Sequence, residues 1–219
     1  MRLAATVMLV RDTDPGIEVL LLRRSGSSAF APNAFVFPGG TVDDADRNGP
    51  PAGWDAARVA TEFRATPPPE LPPDQAPVSP GDALALVHAA VRELREEASI
   101  SVSPAALHLF SHWITPPTEP RRYNTHFFLS RAPADQAGAA DQTETHDAMW
   151  MDPTDALAHA RAGTVHLVYP TVKHLERLAH FLCVDGVLAF ARKKPIVTIM
   201  PDRAPHEGFV MPSSLEARW

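Results

Sequence analysis

A chain of 219 residues, 45% of them hydrophobic, has material for one sizeable folded domain with an insertion, or for two small ones. Its net charge of −6 excludes a sequence-wide attraction to nucleic acid or to an anionic membrane, and no apolar run approaches the length needed to span a bilayer. The single cysteine, Cys183, excludes an internal disulfide and fits a reducing, cytoplasmic setting; within the apolar run HFLCVDGVLAF it reads as a buried, inert thiol.

The opening segment, MRLAATVMLVRD, runs directly into charge and then into a second apolar stretch. That pattern predicts a first β-strand over residues 3–10 rather than a signal peptide. DTDPG reads as a hairpin turn into a second strand at 17–23. A loop rich in Gly, Ser and Pro follows, with a short apolar piece at FVF. Residues 47–80 hold nine of the chain's 23 prolines, and proline removes backbone donors and fixes φ, so this tract predicts a surface insertion, partly extended, with a short helix within GWDAARVATEFRA. About 46 residues precede it, too few for a comfortable independent domain, so the two flanks are expected to share one fold.

A long helix is predicted from about Asp82 to Ala98, with Leu84, Val87, Val91 and Leu94 as its buried stripe. Strands follow at LHLFSHWIT, RRYNTHFFLS and DAMWMD. DPTDALAHARAG reads as a capped helix, with Asp152 or Thr154 near its start and Gly163 past its end. YPTVKHLERLAHFL carries another helical stripe, Val172, Leu175, Leu178, Ala179 and Leu182. A late strand, PIVTIM, precedes an irregular tail ending in SSLEARW, which matches no retention or peroxisomal address. Helices do not separate all neighbouring strands, so the sheet should be mixed.

The chemistry-bearing stretch is VRELREEASI. It crowds Glu93, Glu96 and Glu97 onto one patch of the long helix, although like charges three or four residues apart destabilise a helix by roughly 0.2–0.5 kcal/mol per pair. A solvated face partly neutralised by Arg92 and Arg95 would explain this; so would a divalent cation, because hard cations take carboxylate oxygens and leave places for water and phosphate. The ten histidines form no metal-like cluster, and His112 and His126 read as packing or surface residues. Trp113 and Tyr123 could stack on a base, but core packing is the expectation.

Taken with FPGGTVDDAD upstream, RELREEASI resembles the Nudix hydrolase signature: Gly, five residues, Glu, seven residues, then Arg-Glu-apolar-x-Glu-Glu-x-Gly-apolar. Asp46 stands where Glu is usual, one methylene shorter. A gap of 45 residues replaces the seven, which lengthens the connection at little entropic cost. Ser99 replaces the last glycine and should strain the end of the helix. Most of the chain outside the insertion is similar to the Nudix subfamily that contains the mammalian peroxisomal coenzyme A diphosphatase, which also carries an insertion in its signature.

The resemblance implies an α/β Nudix fold, a mixed β-sheet sandwiched between α-helices. It implies one domain over residues 1–219, with the Pro-rich insertion at about 47–80 and a helical and strand extension at about 170–219. By the same resemblance Mg²⁺ or Mn²⁺ would be held by Glu93, Glu96 and Glu97 with the carbonyl of Gly39, while Gly40 lets the backbone approach. Arg92 would orient the acids and pair with Asp46, and Glu93 is also a candidate general base. Glu144, ahead of Trp150, is a further candidate acid, with Asp141 and Asp147 beside it. Arg121 and Arg122 suit phosphate oxygens, or a plain salt bridge. The implied substrate is a small-molecule diphosphate, with coenzyme A, acyl-CoA, ADP-ribose, a nucleotide sugar or NADH all in view; a catalytically silent nucleotide-binding regulator is the reading from another class. No nucleic acid or membrane partner is expected, and a homodimer is in keeping with many relatives.

Overall fold

The computed structural model describes residues 1–27, 31–63, 78–204, 208–216 and 219. Two long strands, β1 (Arg2–Thr13) and β2 (Gly16–Arg24), form the expected hairpin, pairing antiparallel from Val10↔Val19 to Thr13↔Gly16. Beyond that short register they separate. On the side of β1 that β2 vacates lies β4 (Gly39–Thr41), paired over Ala4–Thr6. On β2 the freed edge takes the two-residue β3 (Phe35–Val36) at Leu22 and Arg23, and the opposite edge carries β7 (Thr145–Met151) from Val19↔Met151 to Arg24↔Thr145. On its other edge β1 runs parallel to β6 (Tyr123–Arg131) from Arg2↔Tyr123 to Val10↔Arg131. β6 is antiparallel to β5 (His108–Ile114), which is parallel to β8 (Thr198–Ile199). The sheet is therefore mixed, as the strand spacing required.

Alternation along the strands feeds two cores, because successive side chains point to opposite faces. Ala5, Val7, Leu9, Leu20 and Leu22 meet α2 (Pro80–Ala98) on one face. Met8, Val10, Val19 and Leu21 meet α3 (Pro153–Arg161), α4 (Tyr169–Leu178) and α5 (Val184–Lys193) on the other. Fully buried Leu86 and Leu94 on α2 each contribute roughly 1.5–3 kcal/mol of hydrophobic free energy. The buried stripe of α2 is broader than its large residues suggested: Ala83, Ala89 and Ala90 lie against the sheet, while Leu84 and Val91 are only partly covered.

Several expectations need correction. The segment 47–80 is not merely a surface insertion. Its helix, α1 (Ala56–Glu62), is capped by Asp55 and carries a buried wedge of Trp54, Val59 and Phe63 into the α2-side core. Trp54 Nε1 donates to the Pro104 carbonyl at 2.8 Å, and Arg58 lies 4.1 Å over the Trp54 ring. The tract TPPPELPPDQAP falls outside the described residues. Cys183 is exposed, not buried, because α4 stops at Leu178 and the run that follows is a turn into α5. For the same reason Leu182 is 82% exposed and Ala179 lies outside the buried face, which Thr171 and His174 complete instead. The tail is not irregular: β9 (Asp202–Ala204) pairs with β10 (Gly208–Val210), and α6 (Ser213–Glu216) follows. Trp113 is core, with its ring centroid 5.6 Å from that of Trp219. His112 and His126 stack across β5 and β6 at 4.2 Å, both buried.

Candidate active site

The last turns of α2 lie alongside β4, and this brings together residues far apart in sequence. Arg92 is the hub. Its Nε and Nη2 donate to the two Asp46 oxygens at 3.0 and 2.9 Å, and Nη2 also reaches the Thr41 carbonyl at 3.0 Å. Its Nη1 donates to Glu93 Oε1 at 2.9 Å and to Glu96 Oε2 at 3.1 Å. Burial pushes the Asp46 carboxyl upward, but the fork from Arg92 and the amide of Asp43 outweigh it and hold the group below its ordinary range. The Asp46 hydrogen bonds in turn raise Arg92 above its usual value.

Glu97 stands apart from that network. It is 4% exposed, and its Oε2 accepts the Gly39 amide at 2.8 Å. Burial pushes its carboxyl up to about 8; the charges of Glu93 and Glu144 act the same way, while the Gly39 N–H and the charge of Arg24 oppose them. Glu93 is raised too, by burial first and by Glu96 and Glu144, against the pull of Arg92. Its carboxylate sits where a Cβ on residue 40 would be, so only glycine at Gly40 allows the strand and the acid to approach so closely. A Cβ at Gly39 would likewise meet the Ala5 carbonyl and Thr6. The helix that carries these acids ends on Ser99, whose φ of 56° is left-handed. Its amide and that of Ile100 turn back to the carbonyls of Arg95 and Leu94. The strain expected of a serine at the family's glycine position is therefore present in the backbone.

The structure brings Gly39, Gly40, Asp46, Arg92, Glu93, Glu96 and Glu97 together. Glu144 joins them from the turn before β7: it is exposed, its carbonyl accepts the Ser25 amide at 2.8 Å, and its charge reaches both Glu93 and Glu97. Asp147 instead pairs with Arg23 at 2.5 Å. Arg121 and Arg122 lie at the β5–β6 connection, where the Arg122 Nε donates to the Thr115 carbonyl at 3.0 Å. Sequence reasoning missed the Thr41 carbonyl as an Arg92 partner, and a backbone acceptor leaves no signal in the residue type. It also missed the role of Arg24, whose charge bears on Glu97.

The donor set suits a hard divalent cation in its chemistry: oxygen ligands only, on a rigid helix, with Arg92 committed to Asp46, Glu93 and Glu96. Among the described residues no group of three or more His, Cys, Asp or Glu side chains is placed so as to hold a metal ion; Glu96 is 51% exposed and held by Arg92.

A family profile described as the NUDIX domain matches residues 77–170. Over that span the chain resembles the Nudix family. The matched span takes in α2 with Glu93, Glu96 and Glu97, while the glycines of β4 precede the insertion and lie outside it. Among curated relatives, a Caenorhabditis elegans protein provisionally named nudix hydrolase 7 is 29% identical over 89% of this chain and 66% of its own length. The acyl-coenzyme A diphosphatase NUDT19 of Xenopus laevis is 25% identical over 79% of this chain and 62% of its own length. The chain thus spans about two thirds of the curated relatives it matches. In fold, the chain is similar to the crystal structure of a NUDIX hydrolase from Alicyclobacillus acidocaldarius, with a TM-score of 0.66 at 23% identity over 86% of this chain and 96% of that one. The NUDIX domain of Shewanella oneidensis NrtR, solved with ADP-ribose, gives a TM-score of 0.51 at 16% identity over 82% of this chain and 87% of that one.

Proposed function

We propose that this Nudix domain is a metal-dependent pyrophosphohydrolase, cutting the diphosphate linkage of a nucleoside diphosphate joined to a second moiety. The observation that carries the reading is Glu97: a buried carboxylate, held by the Gly39 amide at 2.8 Å and pressed by two other acids. Buried charges are paired or serve a ligand. Glu93, Glu96 and Glu97, with the Gly39 carbonyl, would hold Mg²⁺ or Mn²⁺, which would supply charge neutralisation for the diphosphate and activation of the attacking water. Arg92 keeps the acids oriented, and its fork to Asp46 ties the helix to the glycine loop across the insertion. In the reaction water adds to one phosphorus, the bridging P–O bond breaks, and the second phosphate leaves with the bridging oxygen. A carboxylate takes the proton from the water, and Glu93 and Glu144 are the candidates. Arg121 and Arg122 are assigned to substrate phosphates.

For substrate we favour coenzyme A or an acyl derivative, on the similarity to the acyl-CoA diphosphatase; the products would be 4′-phosphopantetheine, acylated or free, and 3′,5′-adenosine diphosphate. The same reading treats residues 1–219 as one domain, acting in the cytoplasm and as a homodimer. A panel of CoA, acyl-CoA, ADP-ribose, a nucleotide sugar and NADH, each with Mg²⁺ or Mn²⁺, tests it on the wild type beside Glu97→Gln. Hydrolysis of one member is expected, with a loss of at least ~100-fold in the variant. Normal turnover by Glu97→Gln would refute the assignment of ligands, and a panel-wide lack of turnover with tight nucleotide binding would favour a silent regulator.

A further inference from the structure

The turn that carries Glu144 is organised by a residue to which the reaction gives no task. The Asp141 carboxylate gathers the whole turn: Oδ1 accepts the Thr145 amide at 2.8 Å and the Thr143 amide at 3.3 Å, and Oδ2 accepts the Glu144 amide at 3.1 Å. Three backbone donors on one carboxylate fix the path of residues 141–145 more tightly than an exposed loop usually is. Gln142, at a left-handed φ of 65°, adds a bond from Nε2 to the His146 carbonyl at 3.0 Å.

The turn is also pinned to the helix of the glutamates. Thr145 is 1% exposed, and its hydroxyl lies 2.8 Å from Asp141 Oδ1 and 3.3 Å from the carbonyl of Glu97 itself. On the opposite side the Ser25 amide holds the Glu144 carbonyl at 2.8 Å. The β2–β7 ladder shifts register between Arg23 and Arg24, where Arg24 meets Thr145. Such irregularities re-aim side chains beside functional sites. Glu144 is thereby held from both flanks, near enough for its charge to act on Glu93 and Glu97.

We infer that Asp141 and Thr145 are positioning residues that clamp the Glu144 turn onto the Glu97 end of α2, so that an acid from the β7 turn completes the cation site formed by the helix. The inference rests on the reading of the glutamates as a divalent cation site. It gives Asp141 no contact with substrate; its effect passes through Glu144.

The test is Mn²⁺ affinity, followed by electron paramagnetic resonance of the free ion, for wild type, Asp141→Ala, Glu144→Gln and the double variant. Partners behind metal ligands typically matter 10–100-fold, so Asp141→Ala is expected to weaken binding about tenfold in the wild-type background and less than twofold once Glu144 is gone. Thr145→Val should act in the same direction and Thr145→Ser should restore affinity; this pair decides the question should Asp141→Ala fail to fold. Equal losses with and without Glu144, or wild-type affinity in both Asp141→Ala and Thr145→Val, would overturn the inference. Glu97→Gln in the same assay separates the two levels: unchanged affinity there defeats the cation-site reading itself, whatever Asp141 does.

Discussion

Two glutamates on the α2 side of the sheet, Glu97 buried and Glu62 half-buried, have opposite fates. Glu62, at the end of α1, meets Arg58 Nε at 2.8 Å, lies 3.5 Å from His108 Nδ1, and accepts the Leu109 amide at 2.7 Å. Burial pushes its carboxyl up, but His108, Leu109 and Arg58 together bring it below the ordinary value. Glu97 has a single amide, and its carboxyl rises to about 8. The first pattern is a carboxylate used to fasten the insertion to β5. The second is a carboxylate with one hydrogen-bond donor, as the proposed cation site needs. The difference lies in the neighbours, since both residues are glutamates near the end of a helix.

Substitution at the two sites should separate the effects. Glu97→Gln is expected to lower diphosphate hydrolysis by at least ~100-fold while leaving the melting temperature unchanged or higher, because an amide carries none of the cost of ionising a buried carboxyl. Glu62→Gln should do the reverse: activity within a few-fold of wild type, and a loss of roughly 1–3 kcal/mol in urea unfolding as Arg58 is left without its carboxylate. Equal losses of activity in the two variants would erase the distinction.

Lys194 offers the cationic counterpart of Glu97. It is 8% exposed, its ammonium donates to the Phe110 carbonyl at 2.6 Å, and burial with the nearby Arg177 charge lowers it to about 7. Its ordinary value is 10.5, so between those pH values the unfolded chain binds the extra proton and the folded chain does not. Stability should therefore rise with pH across that window, by up to about 1.4 kcal/mol per unit from this group. Urea unfolding at several pH values should show that slope in the wild type, and Lys194→Met should flatten it. An identical slope in the variant would mean the lysine keeps its proton in the fold.

A smaller effect sharpens the comparison at the end of α2. Ser99 holds a left-handed backbone that costs an L-residue roughly 1–2 kcal/mol. Ser99→Gly should raise stability by about 1 kcal/mol in chemical denaturation, with no loss of turnover; destabilisation would show that the serine side chain contributes more than the backbone costs.

How much of this was legible in the sequence follows from what each feature depends on. The long helix and its three acids were readable because periodicity is local. The fork of Arg92 on Asp46 was expected through the family resemblance alone, since nothing local links two residues 46 apart. Trp54, Val59 and Phe63 were hidden by the prolines around them: composition marked the segment as surface, and tertiary burial overrode it. Cys183 and Leu182 were misread because an apolar run looks the same whether it continues a helix or turns between two, and α5 was missed with them. The clamp around Glu144 was out of reach, because it is built mostly from backbone amides converging on one aspartate.

The most direct test of the central claim is thermal unfolding of wild type and Glu97→Gln with and without Mn²⁺. A ligand that binds only the folded state at a hundred times its Kd adds about 2.7 kcal/mol. The account predicts a clear upward shift in the melting temperature of the wild type and a much smaller one in the variant. Equal shifts in both, or none in the wild type, would contradict it.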